Sequence, residues 1–346
     1  MNLRTGPDDD KRRIDRILRK ALPDYPLSLI HRLLRQGKIL VNGTRAAPQD
    51  KVPAGAVITV PDTRNKGLGA GNREQEAGNE KKPSPLPPAH SPLDIIWQDE
   101  DLLILNKPVG IAVHGPNSLD TLVQQYLAEL APEKTSLSFR SGPLHRLDKP
   151  TSGAIAFSKS LEGARRFSEC MREGKIHKQY LAIVEGCMDK AQTWENQLSR
   201  DKTRKKTLAE GAAAIVMPAG MKGPAAALTT VTPLAAPVAP NEKKYTLILA
   251  RIHTGRTHQI RAQAAAHSHP LLGDVKYGGH KIPGDLSPLP AHCPLDNPFP
   301  TFFLHAWKLA IDGKINASAP LPLAFQAAIQ TLFGMNADKK ALNGDV

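Results

Sequence analysis

Three observations in the sequence predict an α+β chain of two units. Its 346 residues correspond to about two domains at roughly 150 residues each. The composition changes abruptly between Asp62 and Pro92, where Gly67, Gly69, Gly71 and Gly78 give way to Pro83, Pro85, Pro87 and Pro88 with almost no apolar residues. On either side, strand-like and helix-like runs interleave irregularly, which favours α+β over a doubly wound sheet. The expected division is a small α/β unit over 1–61, a linker over 62–92, a large unit over 93–330 and a tail over 331–346.

In the first unit, Ile14, Ile17, Leu18, Ala21 and Leu22 recur at helical spacing and form one apolar face. Lys11, Arg12, Arg13, Arg16, Arg19 and Lys20 occupy the other. A second helix is expected with Ser28 as its cap, Ile30, Leu33 and Leu34 inward, and Arg32 and Arg35 outward. Gly37 closes it. Lys38–Val41 then reads as a strand entering an Asn42-Gly43 turn, a pair suited to the left-handed dihedrals of a tight hairpin. Val57–Val60 supplies a last short strand. Residues 62–92 cannot bury enough apolar surface to offset their ordering entropy and are expected to be a flexible linker.

In the second unit, strands are expected at Ile95–Trp97, Leu102–Leu105, Ile155–Ser158, Tyr180–Glu185 and Tyr245–Ile252. Helical periodicity appears around Thr121–Leu130 and Leu161–Arg172. Residues 200–240, rich in Ala, Pro and Gly, read as loops with one or two short strands. The proline-rich stretch 282–300 reads as a surface excursion.

The charge balance narrows the partners. Lys plus Arg is 46 against 33 for Asp plus Glu, a net of +13, and residues 1–61 hold twelve of these bases and six acids. Such a surplus suits a polyanion, a nucleic acid or an acidic membrane surface. Membrane-surface binding by the first helix fails because its apolar face is needed for a core. The segment from Met1 to Asp10 lacks the apolar stretch of a signal peptide, and no apolar run reaches the roughly 18 residues of a membrane span. Cys170, Cys187 and Cys293 are odd in number and widely spaced, which excludes a disulfide framework and a cysteine zinc finger. A soluble cytoplasmic protein is expected.

Two segments concentrate chemistry. In Gly142-Pro-Leu-His-Arg-Leu-Asp-Lys-Pro-Thr-Ser-Gly153 one carboxylate, Asp148, lies among cations just before a strand. Positive neighbours would keep it ionised and fit to act as a nucleophile or base; a turn-capping aspartate satisfies the same pattern. In His253-Thr-Gly-Arg-Thr-His-Gln-Ile-Arg261, two guanidiniums, two imidazoles and an amide follow a strand, a set suited to phosphate and carboxylate contacts or to a polar helix start. His267 and His269 add imidazoles, but no acidic or thiol ligand accompanies them, so no metal is expected. The glycines at 67, 69 and 71 follow no strand, and Ser158 stands where a phosphate loop needs its second glycine. No nucleotide cofactor is therefore expected.

Taken together, the ordered blocks carry a family resemblance. His145-Arg146-Leu147-Asp148 followed by Thr151-Ser152-Gly153 resembles the signature of the RluA family of pseudouridine synthases. Further family blocks follow in order: Leu105-Asn106-Lys107-Pro108 with Gly110, Val113 and His114; Lys178-Gln179-Tyr180-Leu181-Ala182; Gly255–Arg261; His269–Gly278; and Leu304-His305-Ala306. The match spans about residues 93–325. Residues 11–61 resemble the small RNA-binding domain of ribosomal protein S-four, the alpha-L motif.

The resemblance implies a pseudouridine synthase fold, a mixed, largely antiparallel sheet with flanking helices. It implies isomerisation of uridines in structured RNA, with large-subunit ribosomal RNA the first expected substrate and transfer RNA the second. No cofactor is implied, and a monomer is expected. Carried over by residue, it gives Asp148 as the catalytic carboxylate, Tyr180 as the stacking partner of uracil and a proton acceptor, and Arg261 as the partner of Asp148. Arg146 would fill the gap left by the flipped uridine, since flipping costs on the order of a few kcal/mol. Arg256 and His258 would contact RNA or support their loop, and Arg12, Arg13, Arg16, Arg32 and Arg35 would contact the RNA backbone. Lys107 and His114 match a family block without an evident task. The alternative is a non-catalytic RNA-binding or ribosome-assembly factor on the same fold; the presence of Asp148, Tyr180 and Arg261 together argues against it.

Overall fold

The computed structural model describes residues 1–61, 93–130, 136–201, 206–210, 225–236, 245–286 and 300–334. The N-terminal unit runs β1 (Asn2–Arg4), β2 (Arg12–Arg13), α1 (Ile14–Ala21), α2 (Leu27–Arg35), β3 (Leu40–Val41), β4 (Thr44–Arg45), β5 (Lys51–Val52) and β6 (Val57–Thr59). Ile14, Ile17 and Leu18 of α1 are buried against Ile30, Leu33 and Leu34 of α2 and Ile58 of β6, as the periodicity requires. Asn42 and Gly43 have φ of 49° and 82°, the two left-handed positions of the expected hairpin turn. Ser28 is not the cap of α2. The helix begins two residues earlier than such a cap would set it, at Leu27 behind Pro26, whose φ of −55° is preset and whose carbonyl accepts from Leu29 and Ile30.

The larger unit contains β7 (Ile95–Gln98), β8 (Leu102–Lys107), α3 (Leu119–Leu130), β9 (Gly142–Pro143), β10 (Ser152–Ser158), α4 (Leu161–Arg172) and β11 (Ile176–Glu185). It continues with β12 (Gln192–Asp201), β13 (Lys206–Glu210), β14 (Ala225–Ala235), β15 (Tyr245–Ile252), α5 (Gln259–Ala266), β16 (Leu304–Ile311), β17 (Ile315–Ser318) and α6 (Leu323–Phe333). Among the described residues eleven strands form one sheet in the order β13-β12-β14-β15-β11-β16-β10-β8-β7, with β17 on β16 and β9 on β10. β10 and β16 run parallel, whereas the other described neighbours in this sheet are antiparallel.

Side-chain alternation divides the sheet into two buried faces. Leu103, Leu105, Ile155, Phe157, Ala182 and Val184 point to one, beneath Leu119 and Val123 of α3 and Ile260 and Ala264 of α5. Leu102, Ile104, Ala154 and Ala156 point to the other and meet Phe167 and Cys170 of α4. Further along that second face, Leu181, Ile183 and Leu247 pack on Phe325, Ala328 and Ile329 of α6. Among the described residues no helix is long and apolar enough to cross a membrane.

Residues 200–240, expected as loops with one or two short strands, hold β13 and β14, and the departure from expectation is the length of β14, which runs over 11 residues. β14 lies in the sheet between β12 and β15, and β12 also holds β13. Its inward residues are Ala227, Thr229 and Val231, small or hydroxylated side chains whose alternation has little hydrophobic contrast. Pro233 interrupts the pairing with β15 at a register shift, where a missing N–H is tolerated. The expected linker over 62–92, most of the 282–300 stretch and most of the tail lie outside the described residues.

Candidate active site

Asp148 lies in the segment from β9 to β10, and three features set its backbone. Leu147 is buried in the core beside it, anchoring the chain. The Thr151 N–H donates to the Asp148 carbonyl at 3.0 Å, closing a turn. Lys107, at the end of β8, is fully buried and its ammonium donates to the carbonyls of Pro108 (2.8 Å), Lys149 (3.1 Å) and Thr151 (2.7 Å). Lys107 therefore straps the loop from beneath. Burial brings its pKa down to about 7, with Asp148 acting in the opposite direction and Lys149 in the same one.

Gly153 closes the loop. Its φ is +111°, and a Cβ there would stand 2.2 Å from the Ala306 carbonyl oxygen of β16. The close approach brings Gly153 level with Ala306, which is level in turn with Tyr180 of β11. The row glycine–alanine–tyrosine leaves small residues beside the aromatic ring. One residue along, Ser152 bonds His305 at 2.9 Å, and the other nitrogen of that ring donates to the Ala319 carbonyl at 3.1 Å. Burial lowers His305 to about 4, so the imidazole is neutral and ties β10 to β16.

Arg261 reaches the site from α5, whose placement follows from its sequence. Gln259 and Gln263 are four apart and share a face. Gln259 bonds Leu228, Thr229, Thr254 and the Arg256 N–H. Gln263 bonds Trp194, Asn196, Ala227 and Thr229. Two buried amides thus stitch α5 to β12 and β14, and Arg261, two residues on from Gln259, faces away from them. Its guanidinium donates to Asp148 at 3.0 Å and, through Nε and the second NH2 group, to Asp274 at 2.6 and 2.8 Å. Tyr277 and Phe302 lie against it, 4.9 and 4.4 Å from ring centroid to guanidinium carbon. Burial opposes the Arg261 charge, but the two carboxylates more than offset it and raise the pKa.

His258 takes a left-handed conformation, φ 53°, ahead of α5. One ring nitrogen contacts the Tyr277 hydroxyl at 2.7 Å and the other lies 3.6 Å from Asp148. Burial lowers its pKa, with Asp148 pulling the other way. The same Tyr277 oxygen accepts from the Thr207 N–H of β13 at 2.9 Å. Tyr180 is buried, and burial together with the Asp148 charge raises its phenol pKa, keeping the hydroxyl protonated.

The structure therefore brings together Asp148, Tyr180, Arg261 and His258, and with them Asp274, Tyr277 and Lys107. Asp274 and Tyr277 stand in a quoted sequence block, but nothing local in that block reveals that they clamp an arginine more than ten residues earlier. Arg146 is exposed two residues before Asp148. Arg256 is exposed at the edge, its Nε donating to the Ala226 carbonyl at 3.2 Å. In the N-terminal unit Arg16, Arg32 and Arg35 are exposed and Arg12 is half-buried. Arg13 is different, because its guanidinium forks onto Asp15 at 2.8 and 3.1 Å.

Residues 101–266 match the family model of RNA pseudouridylate synthase, and residues 12–58 match that of the S4 domain. Ribosomal large subunit pseudouridine synthase C of Haemophilus influenzae is 30% identical over 332 residues, covering 94% of this chain and 91% of its own. The protein of that name from Escherichia coli is 32% identical over 285 residues, 81% of this chain and 80% of its own. Among solved structures, human RNA pseudouridylate synthase domain containing 4 has a TM-score of 0.53 at 23% identity, covering 68% of this chain and 91% of its own, a likeness of fold. With this extent of similarity, the chain belongs to the RNA pseudouridylate synthase family and carries an S4 domain ahead of its catalytic sheet.

Proposed function

We propose that this protein isomerises specific uridines to pseudouridine in large-subunit ribosomal RNA, with Asp148 as the acting carboxylate. The observation that carries the reading is the Asp148–Arg261 pair at 3.0 Å, set beside the Tyr180 ring on a floor of small residues. The reaction breaks the bond from uracil N1 to ribose C1′, turns the base and joins C5 to C1′; C5 gives up its proton and N1 gains one, so the product is an isomer of uridine. Asp148 attacks the sugar or removes a sugar proton. Arg261 holds that carboxylate at one rotamer and balances its charge, an arrangement prepared before substrate arrives. Tyr180, kept protonated by burial and by Asp148, offers a face for the base to stack on. Arg146 fills the space that the flipped nucleotide leaves.

The S4 domain supplies phosphate contacts through Arg12, Arg16, Arg32 and Arg35, with Arg13 withdrawn by its bond to Asp15. Four contacts at about 0.7 each should steepen the dependence of log affinity on log salt by roughly three. Deleting residues 1–61 should remove that increment; an unchanged slope would mean that the domain binds something other than RNA. Cytoplasm is the proposed compartment, in keeping with the free thiols of Cys170 and Cys187.

The decisive experiment is site-resolved pseudouridine mapping of total RNA from cells lacking the protein, rescued by wild type or by Asp148→Asn. Ribosomal positions that vanish and return only with wild type are expected. Sites confined to transfer RNA would move the substrate, and rescue by Asp148→Asn would end the assignment of that residue.

A further inference from the structure

We propose that Asp9 is a docking residue that locks the S4 domain onto the catalytic domain in one orientation, so that the two read a single RNA as a fixed pair. The inference rests on the reading of RNA as substrate. Its structural basis is independent of the active site.

Asp9 is fully buried although it lies in a short polar turn. One carboxylate oxygen accepts from the Ser136 hydroxyl at 2.9 Å, from the Ser138 N–H at 3.0 Å and from the Ser138 hydroxyl. The other accepts from the Leu137 N–H at 2.7 Å and from the Gly6 N–H of its own turn at 2.9 Å. Four of these five donors belong to the segment between α3 and β9 of the catalytic domain. Ser136 also accepts from the Phe139 N–H at 2.9 Å, so the receiving loop is shaped before Asp9 enters it. Leu137 crosses in the opposite direction and packs against the S4 core. Next to it, Asp8 accepts from the Leu161 N–H at the start of α4, 3.3 Å away, where a negative charge suits the helix terminus.

A buried carboxylate that satisfies this many donors gives a connection with one geometry, unlike an apolar contact that slides. Burial alone would raise the pKa of Asp9, but the bonds from Ser138, Leu137, Gly6 and Ser136 together bring it below the usual carboxylate range. The docking therefore persists at neutral pH. It also brings basic side chains of the two domains to one seam, since the Asp8 carboxylate feels both Arg12 of β2 and Arg165 of α4. An RNA strand laid across that seam meets cations from both sides. With the separation between the S4 arginines and Asp148 fixed, the uridine presented to Asp148 depends on where the S4 domain grips.

The test compares full-length wild type with Asp9→Ala and with the double variant Ser136→Ala/Ser138→Ala, which alters only the catalytic side. Hydrogen exchange should show the Leu137 and Ser138 amides protected in wild type and at least tenfold faster in Asp9→Ala, with amides of the S4 core at Ile17 and Ile58 unchanged. Small-angle scattering should show a larger radius of gyration in both variants. On a long ribosomal RNA fragment KM should rise about tenfold with kcat unchanged, while a short stem-loop that reaches only the catalytic domain should show neither change. If Asp9→Ala unfolds the S4 domain, the double variant decides the matter alone. Wild-type domains that tumble independently, or variants with unchanged KM on the long RNA, would overturn the proposal. Wild type that forms no pseudouridine would remove the synthase reading, and exchange and scattering would still decide the docking.

Discussion

Replacing Asp274 by Asn tests whether Arg261 is held by its own scaffold or by Asp148. The exchange preserves shape, so cavity effects are small. The wild-type carboxylate accepts from Arg261 at 2.6 and 2.8 Å, and its side chain is 1% exposed against 8% for the arginine. Asparagine keeps one acceptor but turns an NH2 group toward a guanidinium N–H, so one charge-assisted bond is lost and a repulsion replaces it. A bond to a charged group contributes about 1.5–3 kcal/mol, and breaking a buried ion pair costs about 3–5 kcal/mol. A retained acceptor places the expected loss near about 3 kcal/mol. For a domain of this size that corresponds to a fall in melting temperature of about 6–12 °C. Arg261 would also lose the fork that aims it at Asp148, and a displacement of about 1 Å at a reacting group lowers rate by about a hundredfold. Calorimetry measures the first quantity, and single-turnover tritium release from RNA labelled at uracil C5 measures the second. A melting temperature within 2 °C of wild type (about 0.5–1 kcal/mol) together with a rate within about twofold would show that Arg261 does not depend on Asp274.

Three further outcomes follow from the same geometry. Gly153→Ala places a methyl group 2.2 Å from the Ala306 oxygen at a φ of +111°, so β10 and β16 must separate; soluble, fully active protein on expression would contradict this. Lys107 titrates near 7 in the fold against 10.5 when free, so the unfolded chain binds more protons between those values and stability from this group rises with pH across that window. Urea melts of wild type and Lys107→Met should accordingly diverge in favour of wild type from pH 7 to pH 10, by on the order of 4 kcal/mol at most, and parallel curves would refute the assignment. His258→Asn suits the left-handed backbone but removes the ring between Tyr277 and Asp148. Turnover should fall about tenfold, the ~1.4 kcal/mol of one polar contact, with RNA affinity by filter binding unchanged.

Much of the fold is legible where a local signal is strong. The helix over Leu161–Arg172 follows directly from the periodicity behind Ser160, whose side chain caps it by accepting from the Gly163 N–H. Tyr245–Ile252 reads as a strand because its run of β-branched and aliphatic residues is bounded by polar residues in the sequence. The length of β14 escapes such reading because alternation of alanine, threonine and a single valine is nearly silent in hydrophobicity, and pairing decides the structure instead. The site divides in the same way. Asp148 and Arg261 announce themselves by chemistry and neighbours, whereas the work of Lys107 requires carbonyls some forty residues distant. Asp9 is the extreme case. Within an acidic run at the chain start it looks like a solvated charge, and only partners over 120 residues away show otherwise.

The amide stitching of α5 has a consequence for how this enzyme can be altered. Among the described residues, the hydrogen-bond partners of the Gln263 side chain are Trp194, Asn196, Ala227 and Thr229, in the body of β12 and β14. None of those four residues lies between Glu210 and Ala225 in the sequence. A peptide tag or reporter inserted between Glu210 and Ala225 therefore keeps all four partners, and the arginine should stay aimed at Asp148, a practical handle for following the enzyme on its RNA.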